Sequence, residues 1–267
     1  MRNLTIVSAV ALCALAPLLL KGVLPQATPP AGIGVDRGLL EDLVYANRVL
    51  YDQGVLDGFG HVSVRHPTNP EHFLLARSMA PGLVTTGDIL EYDREGTPLN
   101  AGDRRVYLER FIHAAIYRAR PDVRAVVHSH SPSLIPFGVT GTSLRPVYHM
   151  SAFLGEGTPI FDIRNTAGMT DMLISDNRLG DALAQALGEH TVVLLRGHGA
   201  VVAGSSVQQA VFRAVYTEMN AKLQGEALRL GKVTYLAPDE AAKAAAAVDG
   251  QVGRAWELWK GRIGTIE

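Results

Sequence analysis

The sequence predicts a single α/β domain of three layers, helices on both sides of a central mixed and largely antiparallel sheet. Three observations predict it. The chain has 267 residues, 47% of them hydrophobic and 19% charged, enough for one sizeable core and too polar for a multi-span transporter. Short β-prone runs are separated by Pro, Asn and Gly, the punctuation of a meander. Helical spacing of apolar residues precedes, interrupts and follows those runs.

In chain order, apolar residues recur on one helix face from Asp36 to Gln53, through Leu39, Leu40, Leu43, Val44, Val49 and Leu50, and Gly54 stops the helix. Strands are predicted at His61–Arg65, Phe73–Ala76 and Ile89–Tyr92. Arg110 to Arg120 returns to helical spacing and ends at Pro121-Asp122. Strands resume at Ala125–His128, Thr191–Leu195 and Ala200–Ala203, with a strand-like stretch at Leu144–Val147. Two long helical patterns, Val207–Leu230 and Asp239–Trp259, close the chain.

Residues 1–27 have a different character. Arg2 and Asn3 lead into an apolar run from Leu4 to Leu20, followed by Lys21. A basic start and an apolar core resemble a secretory signal, or an uncleaved anchor near the lower length limit for a membrane span. Residues 28–35 read as a linker and 36–267 as the body. The expectation is an exported protein, periplasmic or secreted, with a tether to the membrane if the segment is retained.

Charge and cysteine content narrow the chemistry. With 25 basic and 26 acidic residues the net charge is −1, so no basic surplus exists to hold a phosphate backbone, and no nucleic-acid partner is expected. The one cysteine, Cys13, lies in the apolar N-terminal run. The body therefore has no thiolate to offer, and any metal must be held by His and carboxylate.

The chemistry-bearing segment is Val126-Val127-His128-Ser129-His130-Ser131-Pro132. Strand residues two apart face the same side, so His128 and His130 can offer two imidazoles to one ion, or can simply be hydrogen-bonded on an edge strand. His198 stands between Gly197 and Gly199 at a turn between two β runs, where glycines permit close backbone approach. Glu109 begins the helix that leads into the His128 strand. It can deliver a carboxylate to the histidines or serve as a helix-start acid favoured by the macrodipole.

Together these positions resemble the class II aldolase and adducin family, over nearly the whole body from about Leu39 to Trp259. The motifs are Gly60-His61-Val62-Ser63-Val64-Arg65, Glu109 leading Arg110-Phe111-Ile112-His113, Arg120-Pro121-Asp122 before His128-Ser129-His130, and Gly197-His198-Gly199. The resemblance implies a class II aldolase-like fold and a divalent ion, zinc or manganese, held by His128, His130 and His198. Glu109 is then a fourth ligand that leaves the ion to act as acid and base. It also implies a homotetramer with sites at subunit interfaces. Adducin-type domains have lost the ligands that this chain keeps, which favours an enzyme.

One departure bears on substrate. The sugar-phosphate members hold phosphate with an Asn in the first strand motif and a Ser pair before the Glu; here those positions are His61 and Tyr107-Leu108. Without those donors a phosphate dianion is poorly served. The loop Leu75-Ala76-Arg77-Ser78-Met79-Ala80-Pro81, with Gly58-Phe59-Gly60-His61, resembles instead the decarboxylase branch, which acts on hydroxylated aromatic or heteroaromatic dicarboxylates. Arg77 is a guanidinium fork suited to a carboxylate, or a surface ion pair. Ser78 and His61 are expected to touch substrate, and Tyr148 to add a donor or pack in a loop. The expected activity is metal-dependent carbon–carbon lysis, namely decarboxylation of a small hydroxylated carboxylate. The alternatives are an aldolase for a non-phosphorylated aldehyde or ketone and a non-catalytic binding module. Trp256 and Trp259 share a helix face; burial is expected for one, with the other free to cover a neighbour's pocket.

Overall fold

The computed structural model describes residues 34–266 of the chain. The expected export segment, 1–27, and most of the expected linker, 28–35, lie outside the described residues.

Helix α1 (Arg37–Asp52) starts where the Asp36 carboxylate accepts the Gly38 amide, and it buries Leu43, Val44, Ala46, Val49 and Leu50. The meander follows as β1 (His61–Arg65), β2 (His72–Ala76) and β3 (Ile89–Asp93). Then come α2 (Arg110–Ala119), β4 (Ala125–Ser129), the short α3 (Ile135–Val139), β5 (Ile160–Phe161), α4 (Arg164–Ala167) and α5 (Asn177–Leu187). The chain closes with β6 (Val192–Leu195), β7 (Gly199–Gly204), α6 (Val207–Leu230), α7 (Pro238–Asp249) and α8 (Val252–Ile263).

The seven strands form one sheet in the order β3-β2-β1-β4-β7-β6-β5. Every neighbouring pair is antiparallel except β5 and β6. Alternation along the strands sends their side chains into two cores. Val62, Val127, Leu194 and Val202 meet Leu43, Val211, Phe212 and Trp256 of α1, α6 and α8 on one face. Phe73, Val126, Val193 and Val201 meet Ile112, Ile116, Leu179 and Leu183 of α2 and α5 on the other. The three-layer α/β/α arrangement with a mixed sheet is therefore present.

Three local expectations change. The helix expected over Asp239–Trp259 is two helices, α7 and α8, parted at Gly250. α7 packs against the 3-10 segment His149–Glu156 while α8 packs against α1 and α6, two surfaces that no straight helix reaches at once. Consequently both tryptophans are buried, Trp256 at 3% and Trp259 at 6% exposed, and neither is free to cover a neighbour's pocket. Residues 144–147 form no strand. Pro146 has no N–H to give a ladder, and α6 side chains take the backbone instead: Gln224 Oε1 accepts the Arg145 amide at 2.9 Å and Asn220 Oδ1 the Val147 amide at 3.0 Å. Helix α5 was not anticipated, although its sequence carries a cap at Asp176, whose carboxylate accepts the Leu179 amide, and a stop at Gly188.

Candidate metal centre

Four elements converge at one end of the central strands. On β1, His61, Ser63 and Arg65 alternate with Val62 and Val64, which belong to the opposite core; on β4, His128 follows Val126 toward α2. The chain leaves β4 through His130, and His198 sits in the tight turn joining β6 and β7. That turn fits because Gly199 has no side chain: a Cβ there would lie 1.9 Å from the Ser129 carbonyl oxygen. Glu109 is the residue just ahead of α2 and is 7% exposed.

The structure brings Glu109, His128, His130 and His198 together, with one donor atom from each within 4.8 Å of all the others. His130 Nε2 lies 3.2 Å from His128 Nε2 and 3.1 Å from His198 Nε2. Glu109 Oε2 lies 3.4 Å and 3.5 Å from the same atoms of His128 and His198. His128 Nδ1 donates to the Ala200 carbonyl at 3.2 Å, which fixes the ring with its Nε2 turned toward the other three donors. Three nitrogens and a carboxylate oxygen turned on one point suit a divalent cation. Ligand bonds of about 2.0–2.2 Å place tetrahedral neighbours roughly 3.3–3.5 Å apart, and four of the donor pairs fall at or close to that spacing.

Protonation agrees with this chemistry. Burial works against charge on Glu109, but the His128 and His198 imidazoles facing it prevail and hold its carboxyl well below the usual carboxylate range. Burial, helped by His128 and His198, pushes His130 down to about 4. At neutral pH the site therefore offers a carboxylate and a neutral His130, the forms that bind metal.

A cavity of about 350 Å³ opens beside the cluster, with Glu109, His130, His61 and Ser78 in its wall. Phe59, 68% exposed, and Leu108, 62% exposed, form its apolar sides. Gly60, at φ +85° with the His128 carbonyl 2.9 Å from where a Cβ would stand, lets the Phe59 loop lie against β4. Of the residues expected to touch substrate, His61 and Ser78 line this cavity. Arg77 does not line it; its Nε donates to Asp88 Oδ1 at 2.6 Å. Tyr148 also stands outside it, beside Tyr216 of α6 with ring centres 6.4 Å apart, its hydroxyl buried without a partner.

Sequence reasoning gave no role to His113, Ser63 or Tyr117, which stand directly behind His61. His61 Nδ1 and His113 Nε2 are 2.6 Å apart, and Ser63 Oγ lies 2.6 Å from His113 Nδ1 and 2.7 Å from the Tyr117 hydroxyl. The available signal was periodicity: residues 61 and 63 share a strand face, and 113 and 117 a helix face.

The profile of the Class II Aldolase and Adducin N-terminal domain matches residues 41–225. The chain belongs to the class II aldolase and adducin family. Among curated members of this family, the decarboxylase tropJ of Talaromyces stipitatus is 35% identical over 241 residues, covering 81% of this chain and 91% of that protein. The 3,4-dihydroxyphthalate decarboxylase of Arthrobacter keyseri is 33% identical over 212 residues, covering 76% and 84%. Among solved structures, L-fuculose 1-phosphate aldolase from Glaciozyma antarctica superposes with a TM-score of 0.71 at 26% identity, covering 88% of this chain and 94% of that one.

Proposed function

We propose that this class II aldolase family member is a metal-dependent carboxy-lyase that releases carbon dioxide, without an oxidant, from a small hydroxylated aromatic carboxylate. It is an enzyme, a lyase. The observation that carries the reading is the Glu109–His128–His130–His198 cluster opening on a cavity walled by Phe59 and Leu108. Relatives named as decarboxylases, one of them for 3,4-dihydroxyphthalate, support the same class of substrate.

His128, His130 and His198 would hold the ion, zinc or manganese, with Glu109 as the fourth ligand. A divalent cation there supplies Lewis acidity to the substrate oxygen on which negative charge gathers as the carboxylate departs. Glu109 is the proton carrier. Its ionised carboxylate accepts the proton of the substrate hydroxyl, the bond to the leaving carboxylate breaks with loss of carbon dioxide and its electron pair stays with the ring carbon, and Glu109 gives the proton to that carbon, leaving the product as its oxyanion for solvent to protonate. Phe59 and Leu108 offer flat apolar surface to a ring, and Ser78 offers a hydroxyl within the cavity. Arg77, whose Nε is held by Asp88, directly precedes the cavity-lining Ser78 and would orient a second carboxylate with its terminal nitrogens. A homotetramer with shared sites and an exported or tethered location, suggested by the apolar run Leu4–Leu20, complete the reading.

The test is elemental analysis of the purified body beside the triple alanine variant at His128, His130 and His198, followed by assay of hydroxylated benzene dicarboxylates for carbon dioxide. One equivalent of divalent metal in the parent, lost in the variant, with carbon dioxide release lost in parallel, is the expected result. A parent that takes up neither zinc nor manganese sinks the reading, and aldehyde release without carbon dioxide turns it to an aldolase. Light scattering and cell fractionation test the tetramer and the location.

A further inference from the structure

His61, Ser63, His113 and Tyr117 form one continuous hydrogen-bond chain behind the cavity wall, and none of them is more than 5% exposed. Its direction follows from counting hydrogens. The hydrogens to place are one each on Tyr117 and Ser63 and those on the two rings, and an imidazole that accepts at one nitrogen carries its hydrogen on the other. Ser63 has one hydroxyl hydrogen for two neighbours, His113 Nδ1 and the Tyr117 oxygen. If Ser63 donates to Tyr117, the Tyr117 hydrogen is left buried with no acceptor, at the cost of an unsatisfied donor. If Ser63 donates to His113 Nδ1, every hydrogen is used: Tyr117 donates to Ser63, Ser63 to His113, and His113 Nε2–H to His61 Nδ1. The His61 proton must then sit on Nε2, the nitrogen with no protein partner.

We propose that Ser63 and His113 are positioning residues that lock His61 in its Nε2–H tautomer, so that it offers the cavity a fixed, neutral hydrogen-bond donor for an anionic oxygen of the substrate. The same lock keeps His61 out of the metal-ligand set. Its ring centre lies 5.1 Å from that of His128, and a bare Nε2 there would be a competing imidazole ligand, whereas an N–H is not. A neutral donor also suits an anion without placing a second positive charge beside the ion. The donor role rests on the carboxy-lyase reading above; the tautomer does not.

Long-range proton–nitrogen correlation spectra of zinc-loaded protein carrying ¹⁵N histidine read which ring nitrogen is protonated, with His61→Gln and His113→Gln spectra assigning the signals. Nε2–H on both rings is expected. A proton on Nδ1 of His61, or a charged His61 ring at neutral pH, overturns the proposal with no substrate involved. Kinetics test the donor role. In Tyr117→Phe the Ser63 hydrogen still has only His113 to go to, so KM for a hydroxylated aromatic carboxylate stays within about twofold of the parent. In Ser63→Ala the lock is released, and KM rises about fivefold or more while kcat changes less. An unchanged KM in a folded Ser63→Ala protein overturns the positioning role. If the parent turns over no such carboxylate, the carboxy-lyase reading fails and the spectra still decide the tautomer.

Discussion

Glu109 Oε1 accepts the backbone amide of Ile174 at 3.0 Å while its Oε2 faces His128 and His198. One carboxylate is thus held from two sides, by the backbone ahead of α5 and by the imidazoles. A proton carrier needs both a defined resting place and a free lone pair, and the Ile174 amide supplies the first without consuming the oxygen that faces the cluster.

Glu109→Gln keeps that shape: the amide oxygen can still accept from Ile174, but the side chain no longer takes up a proton. Turnover should fall by about 10²- to 10⁴-fold, the usual worth of a general acid–base group. Metal content should stay close to the parent's because the three histidines remain. Carbon dioxide release and elemental analysis on the same samples check both halves.

Gly199→Ala drives a methyl group into the Ser129 carbonyl, 1.9 Å from where its Cβ must go. The β6–β7 turn cannot yield without moving His198. We expect a loss of about 3 kcal/mol or more, measured by urea unfolding, together with weaker metal retention on dialysis.

Buried neutral histidines set the acid limb of stability. His113 at about 3 and His130 at about 4 are depressed from 6.5, so between those values the unfolded chain binds more protons than the folded one. Their contribution is complete above about pH 6.5 and is lost as pH falls toward 3, with a slope near 1.4 kcal/mol per pH unit for each fully titrating group. Urea midpoints of chelated protein from pH 7 to pH 4 should show this decline. In His113→Gln the slope should drop by about one group's share; an unchanged slope would show that His113 is not held neutral.

Trp259 packs against Phe212 and Tyr216 of α6, with ring centres 6.4 and 6.3 Å apart. Trp259→Ala should cost about 3–5 kcal/mol through lost burial and the cavity left behind, while metal content is retained. Thermal unfolding beside elemental analysis separates the two effects.

The candidate site was legible wherever a local rule sufficed. Strand alternation places His128 and His130 within reach of one point, the glycines around His198 announce a close approach, and Glu109 stands at a helix start. The meander, β4, β6, β7 and α6 follow from periods of two and 3.6. Where two rules compete, the sequence left the outcome open. The Asp239–Trp259 pattern is helical throughout, and only the two surfaces met by α7 and α8 decide that it breaks at Gly250.

Pairing across distance was decided by the tertiary structure alone. The sequence determined that His61 and Ser63 share one strand face and that His113 and Tyr117 share one helix face. That these two faces meet, 52 and 54 residues apart along the chain for the pairs His61–His113 and Ser63–Tyr117, depends on how α2 packs over β1. Tertiary contacts likewise hold Arg77 against Asp88 and set Tyr148 beside Tyr216 of α6. Residue spacing specifies which side chains share a face because that geometry is local; which face they meet is a property of the whole packed core, where the burial of many apolar side chains selects a single arrangement.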